Sequence, residues 1–176
     1  MESIWFTVTT SLQLIFIPIL VLGNAFFVAA EFSLVTVRRT RLEELAAKKV
    51  AGIAAAEEAT RRIDDTIAAT QLGITMMSLA LGWVGEPGLA RLIEPVLRFL
   101  PERWEPFAAH GVATAIAFLC ITFLHVVVGE LAPKTIALRI PDVVALRVAA
   151  PLLAFERLFR PFISTMNRSG NGLVRI

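Results

Sequence analysis

Gly129-Glu130-Leu131-Ala132, followed at once by Pro133 and Lys134, sets a carboxylate and a proline at the end of a long apolar stretch without charge. Proline has no N–H, so in a helix the carbonyl four residues before it, here that of Gly129, loses its partner and is pushed aside by the ring. The freed carbonyl and the Glu130 carboxylate are then neighbouring hard oxygen donors. Such donors suit a small hard cation such as Mg2+ better than a soft metal. A carboxylate within an apolar span is costly, and an acid beside a broken helix marks an ion path.

Further polar side chains fall where they can join these two. Asn24 precedes Glu31 by two helical turns, which puts amide and carboxylate on one face. Gln71, Thr75 and Ser78 follow helical spacing and form a second polar stripe. Asn24, Ser78, Gly129 and Glu130 can thus converge from three helices on one cavity opening inward, with Glu31, Gln71 and Thr75 as further lining residues. The bland reading is that small polar residues only glue helices together, which is favoured for Thr75. For Asn24 and Ser78 both readings stand, and Glu31 fits a salt bridge with Arg38 or Lys134 as well. His110 and His125 are too far apart for metal-ligand spacing on one helix. At membrane depth His125 is expected to hydrogen-bond a neighbouring helix, with a proton relay as the lesser alternative.

The elements that must position these residues are set by composition. Hydrophobic residues make up 56% of the 176 residues and the mean hydropathy is +0.71, well above the needs of one soluble core. Three windows carry no Asp, Glu, Lys or Arg: Ser3 to Ala30, Thr66 to Gly85 and Pro106 to Gly129. Each can cross about 30 Å of hydrocarbon as a helix. The fold class is therefore an all-α integral membrane protein, with one transmembrane domain over residues 1–176. Its parts are spans near residues 5–33, 66–85 and 107–132, a juxtamembrane helix or helix pair near 41–63, an outer link over 86–105 with an amphipathic Leu89 to Leu100 segment between Pro87 and Pro101, and an interfacial helix near 142–167.

Basic residues are retained on the cytoplasmic side of a membrane. Seven lie between the first two spans (Arg38, Arg39, Arg41, Lys48, Lys49, Arg61, Arg62) and seven follow the third (Lys134, Arg139, Arg147, Arg157, Arg160, Arg168, Arg175). The link between spans two and three holds only Arg91, Arg98 and Arg103. This predicts an N-terminus outside and a C-terminus in the cytoplasm, in a multi-pass protein of the cell membrane. The net charge of +2 and pI near 9.2 then reflect topology and lipid headgroups rather than nucleic-acid binding. The first window has no basic n-region, so a cleaved signal peptide is not expected. The single Cys120 excludes an internal disulfide within this chain and any Cys-rich metal site. Glu44 with Lys48, Glu57 with Arg61 and Glu58 with Arg62 are spaced to support a helix between the spans.

Residues 23–34 (Gly-Asn-Ala-Phe-Phe-Val-Ala-Ala-Glu-Phe-Ser-Leu), Arg38 to Leu42, Thr70 to Thr75, Gly82-Trp83-Val84-Gly85-Glu86-Pro87 and Gly129 to Lys134 together resemble the membrane domain of the CorC/CorB magnesium transporters, whose eukaryotic relatives are the cyclin M (CNNM) transporters. The resemblance runs from about Leu20 to Phe162, with its motifs in order. It implies a homodimer of three-helix domains with juxtamembrane helices, an inward-facing acidic cavity, and export of Mg2+ driven by Na+, with Co2+ as a second cargo. By motif, the family's ligands fall on Asn24, Ser78, Gly129 and Glu130. Ile74 and Ser78 stand where many members carry asparagine, so here the second helix departs from the family's pattern. The family continues into a pair of cytoplasmic CBS modules and a small terminal domain. A chain ending at Ile176 is expected to lack that regulatory half, as a truncated form or a short paralogue.

The expected function is Mg2+ transport without covalent chemistry, so no enzyme activity and no organic cofactor. One alternative is a membrane anchor and dimerisation module with a structural or sensory Mg2+ site. Another is a proton-coupled transporter of a different substrate, with Glu130 as the proton carrier.

Overall fold

The computed structural model describes residues 2–97 and 106–174, with side chains over 12–97, 110–170 and at 172. Every described element is helical: α1 (Glu2–Thr36), α2 (Arg39–Ala47), α3 (Ile53–Arg61), α4 (Ile63–Leu97), α5 (Pro106–Leu124), a π-helical segment (His125–Leu131), α6 (Ala132–Arg139), α7 (Pro141–Leu158) and α8 (Arg160–Val174). Three helical stretches, Leu12–Thr36, Ile63–Leu97 and His110–Arg139, are long and apolar enough to cross a membrane. Within them the side chains facing away from the bundle are large and apolar, including Ile15, Leu79, Trp83, Leu119 and Phe123. Such a surface is stable only against lipid or another apolar partner.

Helix α4 lies along α1 and in turn carries α5, while the π segment and α6 return to α1. One buried cluster, Ile17, Val21, Leu81 and Ile121, joins the three long helices. A larger one joins the end of α1 to α2, α3, the start of α4, α7 and α8, around Phe27, Leu34, Leu42, Leu72, Leu152 and Ile163. The site described below lies between these two apolar masses. Gly85, Ala113 and Ala117 pack inside this bundle, whereas Gly82 and Ala115 face outward.

Three boundaries differ from the sequence reading. The second span was expected to end near Gly85 before an outer link, but α4 runs unbroken through Pro87 and Pro95 to Leu97. Contacts to α1 hold it there: Gly88 sits against Gln13, and Arg91 Nη1 donates to Gln13 Oε1 at 3.2 Å. The rest of that link, including Leu100, Pro101 and the bases Arg98 and Arg103, lies outside the described residues, as does Arg175. The helix or helix pair read over 41–63 is a pair, α2 and α3. The break falls at Gly52, which has φ 86° and lies so near the Leu146 carbonyl that a Cβ would approach its oxygen to 2.2 Å. The segment read as one interfacial helix near 142–167 is likewise α7 and α8, divided at Phe159. The third span also continues past Ala132, through Pro133 and α6 to Arg139.

Of the ion pairs read from i, i+4 spacing, Glu58 meets Arg62 at 3.8 Å. Arg61 turns to Glu58 rather than Glu57, and Glu44 is taken by Arg41 at 2.9 Å.

Candidate functional site

Between Val127 and Ala132 the helix ladder shifts from four residues to five, the N–H of Ala132 bonding the carbonyl of Val127. Such π turns are rare and concentrate where function needs a backbone group redirected. Pro133 follows directly, and the N–H it lacks is the one that would have capped Gly129 in a regular helix. Instead the buried Gly129 carbonyl accepts the side-chain Nδ2 of Asn24 at 3.0 Å. The fit is close here: a Cβ on residue 129 would lie 3.1 Å from the His125 ring and 3.4 Å from Asn24 Nδ2, so its neighbours would have to give by a few tenths of an ångström.

Asn24 is only 1% exposed, at the middle of α1. A carbonyl can only accept, so Asn24 presents its NH2 to Gly129 and its oxygen to Ser78. Ser78 Oγ lies 3.4 Å from Asn24 Oδ1 and 3.3 Å from His125 Nε2. The hydroxyl has one proton: with Ser78 donating to Asn24, the His125 ring donates to Ser78. Asn24, Ser78, His125 and Gly129 thus form one polar chain across α1, α4 and the π segment.

Glu130, the residue after Gly129 in sequence, is exposed and makes no hydrogen bond or ion pair among the described residues. Lys134, one turn on, lies over the Phe32 ring at 4.4 Å. Of the other residues singled out, Glu31 does not pair with Arg38 or Lys134 but accepts from Gln71 Nε2 at 2.9 Å. That bond links α1 to α4 separately from the Asn24 chain. Thr75 turns back on its own helix, donating to the Gln71 carbonyl at 2.8 Å. The expectation that His125 bonds a neighbouring helix holds, through Ser78.

A second polar cluster, which the sequence reading did not single out, lies where α3, α4, α7 and α8 meet. Glu156, 3% exposed, accepts from Arg62 Nη2 at 2.6 Å, while Arg62 also bonds Asp65 at 3.0 Å. Asn167 Nδ2 donates to the other Asp65 oxygen at 2.9 Å. The Asp65 hydrogen bond, with Glu156 adding its charge, raises the Arg62 guanidinium above its ordinary pKa. Nearby, Arg41 Nε donates to Asp142 at 3.0 Å and holds that carboxyl below its usual value. A visible signal for Glu156 was its place at the end of the apolar run Val148 to Phe155 of α7. The π turn had only the spacing of Gly129 to Pro133 to announce it.

Residues 14–176 match the sequence profile of the Cyclin M transmembrane N-terminal domain. The UPF0053 protein YugS of Bacillus subtilis is 41% identical over 167 residues, covering 94% of this chain and 38% of that protein. The UPF0053 protein YhdT, also of Bacillus subtilis, is 43% identical over 157 residues, covering 89% of this chain and 34% of that protein. The uncharacterized protein Rv1841c of Mycobacterium tuberculosis is 37% identical over 166 residues, covering 94% of this chain and 46% of that protein. The chain therefore spans less than half the length of each of these relatives.

Proposed function

Because the chain belongs to the CNNM (CorB/CorC-type) transmembrane family and is a multi-pass membrane protein, we propose that it binds Mg2+ at Asn24, Ser78, Gly129 and Glu130 and carries it across the cell membrane. One observation carries this reading: three neutral oxygens from three helices gather around Asn24, and the residue that follows Gly129 carries a carboxylate with no partner among the described residues. A carboxylate on an apolar span is retained only where it does something, and a cation is what it and these oxygens can share. Among the described residues no three acidic, histidine or cysteine side chains gather, here or elsewhere, so the reading rests on the amide, hydroxyl and carbonyl oxygens together with the single carboxylate.

A cation entering the cluster competes with the Asn24 NH2 for the Gly129 carbonyl. Rotation of the Asn24 amide would release that carbonyl and turn Oδ1 toward the ion. Binding is thereby coupled to contacts between α1, α4 and the π segment, which is the linkage that alternating access needs. We assign no covalent step and no organic cofactor. The direction is outward, with Na+ as the driving ion and Co2+ as a second cargo, in a homodimer whose N-terminus is outside and whose α2, α3, α7 and α8 lie on the cytoplasmic side.

The test is Mg2+ flux in liposomes holding this chain, with and without an opposing Na+ gradient. Na+-dependent flux is expected. Saturable binding without flux would leave an anchor with a structural or sensory ion. Flux that follows a pH gradient and ignores Mg2+ would leave a proton-coupled carrier of another substrate.

A further inference from the structure

Among the donors around Ser78, one is not an oxygen. His125 Nε2 lies 3.3 Å from Ser78 Oγ, as near as Asn24 Oδ1 at 3.4 Å. Its ring packs on Gly129, whose carbonyl is the next donor of the set. In an octahedral site with bonds of about 2.1 Å, adjacent ligand atoms lie about 3.0 Å apart. Both separations from Ser78 come within a few tenths of an ångström of that edge, so a cation that takes Ser78 and Asn24 has the imidazole at hand on the same terms. His125 also opens the π turn that ends at Leu131, so its ring and the Gly129 carbonyl are presented by one segment.

We propose that His125 is a further ligand of this site through Nε2, its ring proton then carried on Nδ1, and that it raises the site's preference for borderline first-row divalent cations such as Mn2+ relative to hard Mg2+. The inference rests on the cation-binding reading of Asn24, Ser78, Gly129 and Glu130. The physical reason is the preference order of metals for nitrogen: an imidazole gains little with Mg2+ but progressively more from Mn2+ to Co2+ and beyond. An all-oxygen set would favour the hard ion. Replacing one oxygen edge by Nε2 narrows that advantage without removing the carboxylate that supplies the charge.

Mn2+ is a suitable probe because it is paramagnetic and Mg2+ competes for oxygen sites that hold it. Pulsed electron paramagnetic resonance of Mn2+ bound to the whole chain in lipid nanodiscs reads nitrogen coupling directly. The expected result is a directly bound nitrogen signal that Mg2+ displaces, that changes isotope pattern when histidine is supplied with 15N, and that disappears in His125→Gln. In that variant the ratio of Mn2+ to Mg2+ affinity should fall roughly tenfold. The unsubstituted protein already decides the matter if the variant fails to fold. Mn2+ that competes with Mg2+ and requires Glu130, yet shows no nitrogen coupling, overturns the His125 assignment and leaves the Mg2+ site standing. No saturable Mn2+ or Mg2+ binding that Glu130→Gln alters would overturn both.

Discussion

The cluster around Asn24 and the cluster around Arg62 solve the same problem, polar groups among helices, with different chemistry. The first is built from neutral groups, amide to carbonyl, hydroxyl to amide and imidazole to hydroxyl, at 3.0 to 3.4 Å. The second is built from charges, with Arg62 held between Glu156 at 2.6 Å and Asp65 at 3.0 Å. Inside a span, unpaired charge is costly and neutral hydrogen bonds satisfy the helices at lower cost. Where α3, α4, α7 and α8 meet, ion pairs can bind four elements together. The one charge of the first cluster, Glu130, is left unpaired among the described residues, whereas the acids of the second are spent on arginine. The contrast separates a place that holds its charge ready from one that has used it.

Breaking the two clusters should therefore give opposite phenotypes. The largest effect is expected in Glu130→Gln, which keeps shape and removes the charge a divalent ion needs. Mg2+ affinity by calorimetric titration should fall about a hundredfold or more, with thermal stability nearly unchanged because no partner is lost. Wild-type affinity in a folded Glu130→Gln protein would sink the site assignment, and Ser78→Ala should weaken binding far less.

Arg62→Met inverts the pattern. It strands the Glu156 carboxylate, 3% exposed, without its cation, a change that costs about 3–5 kcal/mol for a fully buried pair. Arg62 is itself 36% exposed, so about 2 kcal/mol is the expected loss, read by denaturant or thermal unfolding in detergent. Mg2+ affinity per folded molecule should stay as it was. A variant as stable as the parent would mean that the pair does not join these helices.

Pro133→Ala sharpens the comparison inside the first cluster, because it touches no ligand side chain. It restores a backbone N–H that can recapture the Gly129 carbonyl and return the π turn to a regular helix. Mg2+ affinity should drop roughly tenfold, about 1.4 kcal/mol. Unchanged binding would remove the carbonyl from the ligand set and leave the carboxylate.

These contrasts also mark how far the sequence could be read. The three spans were legible because charge-free windows of that length have few other uses, and Gly129 with Pro133 pointed to a redirected carbonyl. What it could not give was the partner of that carbonyl. Asn24 reaches Gly129 across 105 residues of chain, and periodicity on one helix says nothing of which face meets another. Gln71, Thr75 and Ser78 share a stripe, yet only Ser78 joins Asn24, while Gln71 binds Glu31 and Thr75 its own helix. Composition also failed at the end of α4. Prolines that read as boundaries are carried inside a helix held by α1 along its length.

The smallest effect belongs to Asp142, at the margin of the charged region. Its hydrogen bond from Arg41 lowers the carboxyl pKa below the ordinary 3.8, so the folded state prefers the ionised form. A depressed carboxyl contributes stability that is fully present above its unfolded pKa and is lost as pH falls through the folded one. Asp142→Asn should thus melt slightly below the parent at neutral pH, and the gap should close as the pH drops below about 3.8, where the parent's carboxyl is also losing its charge. Arg41 is solvated and has Glu44 as a second partner at 2.9 Å, which keeps the neutral-pH gap small. A gap for Asp142→Asn that widens toward acid would show that Arg41 does not hold the ionised form, and would confine the ion-pair contribution to Arg62 and its partners.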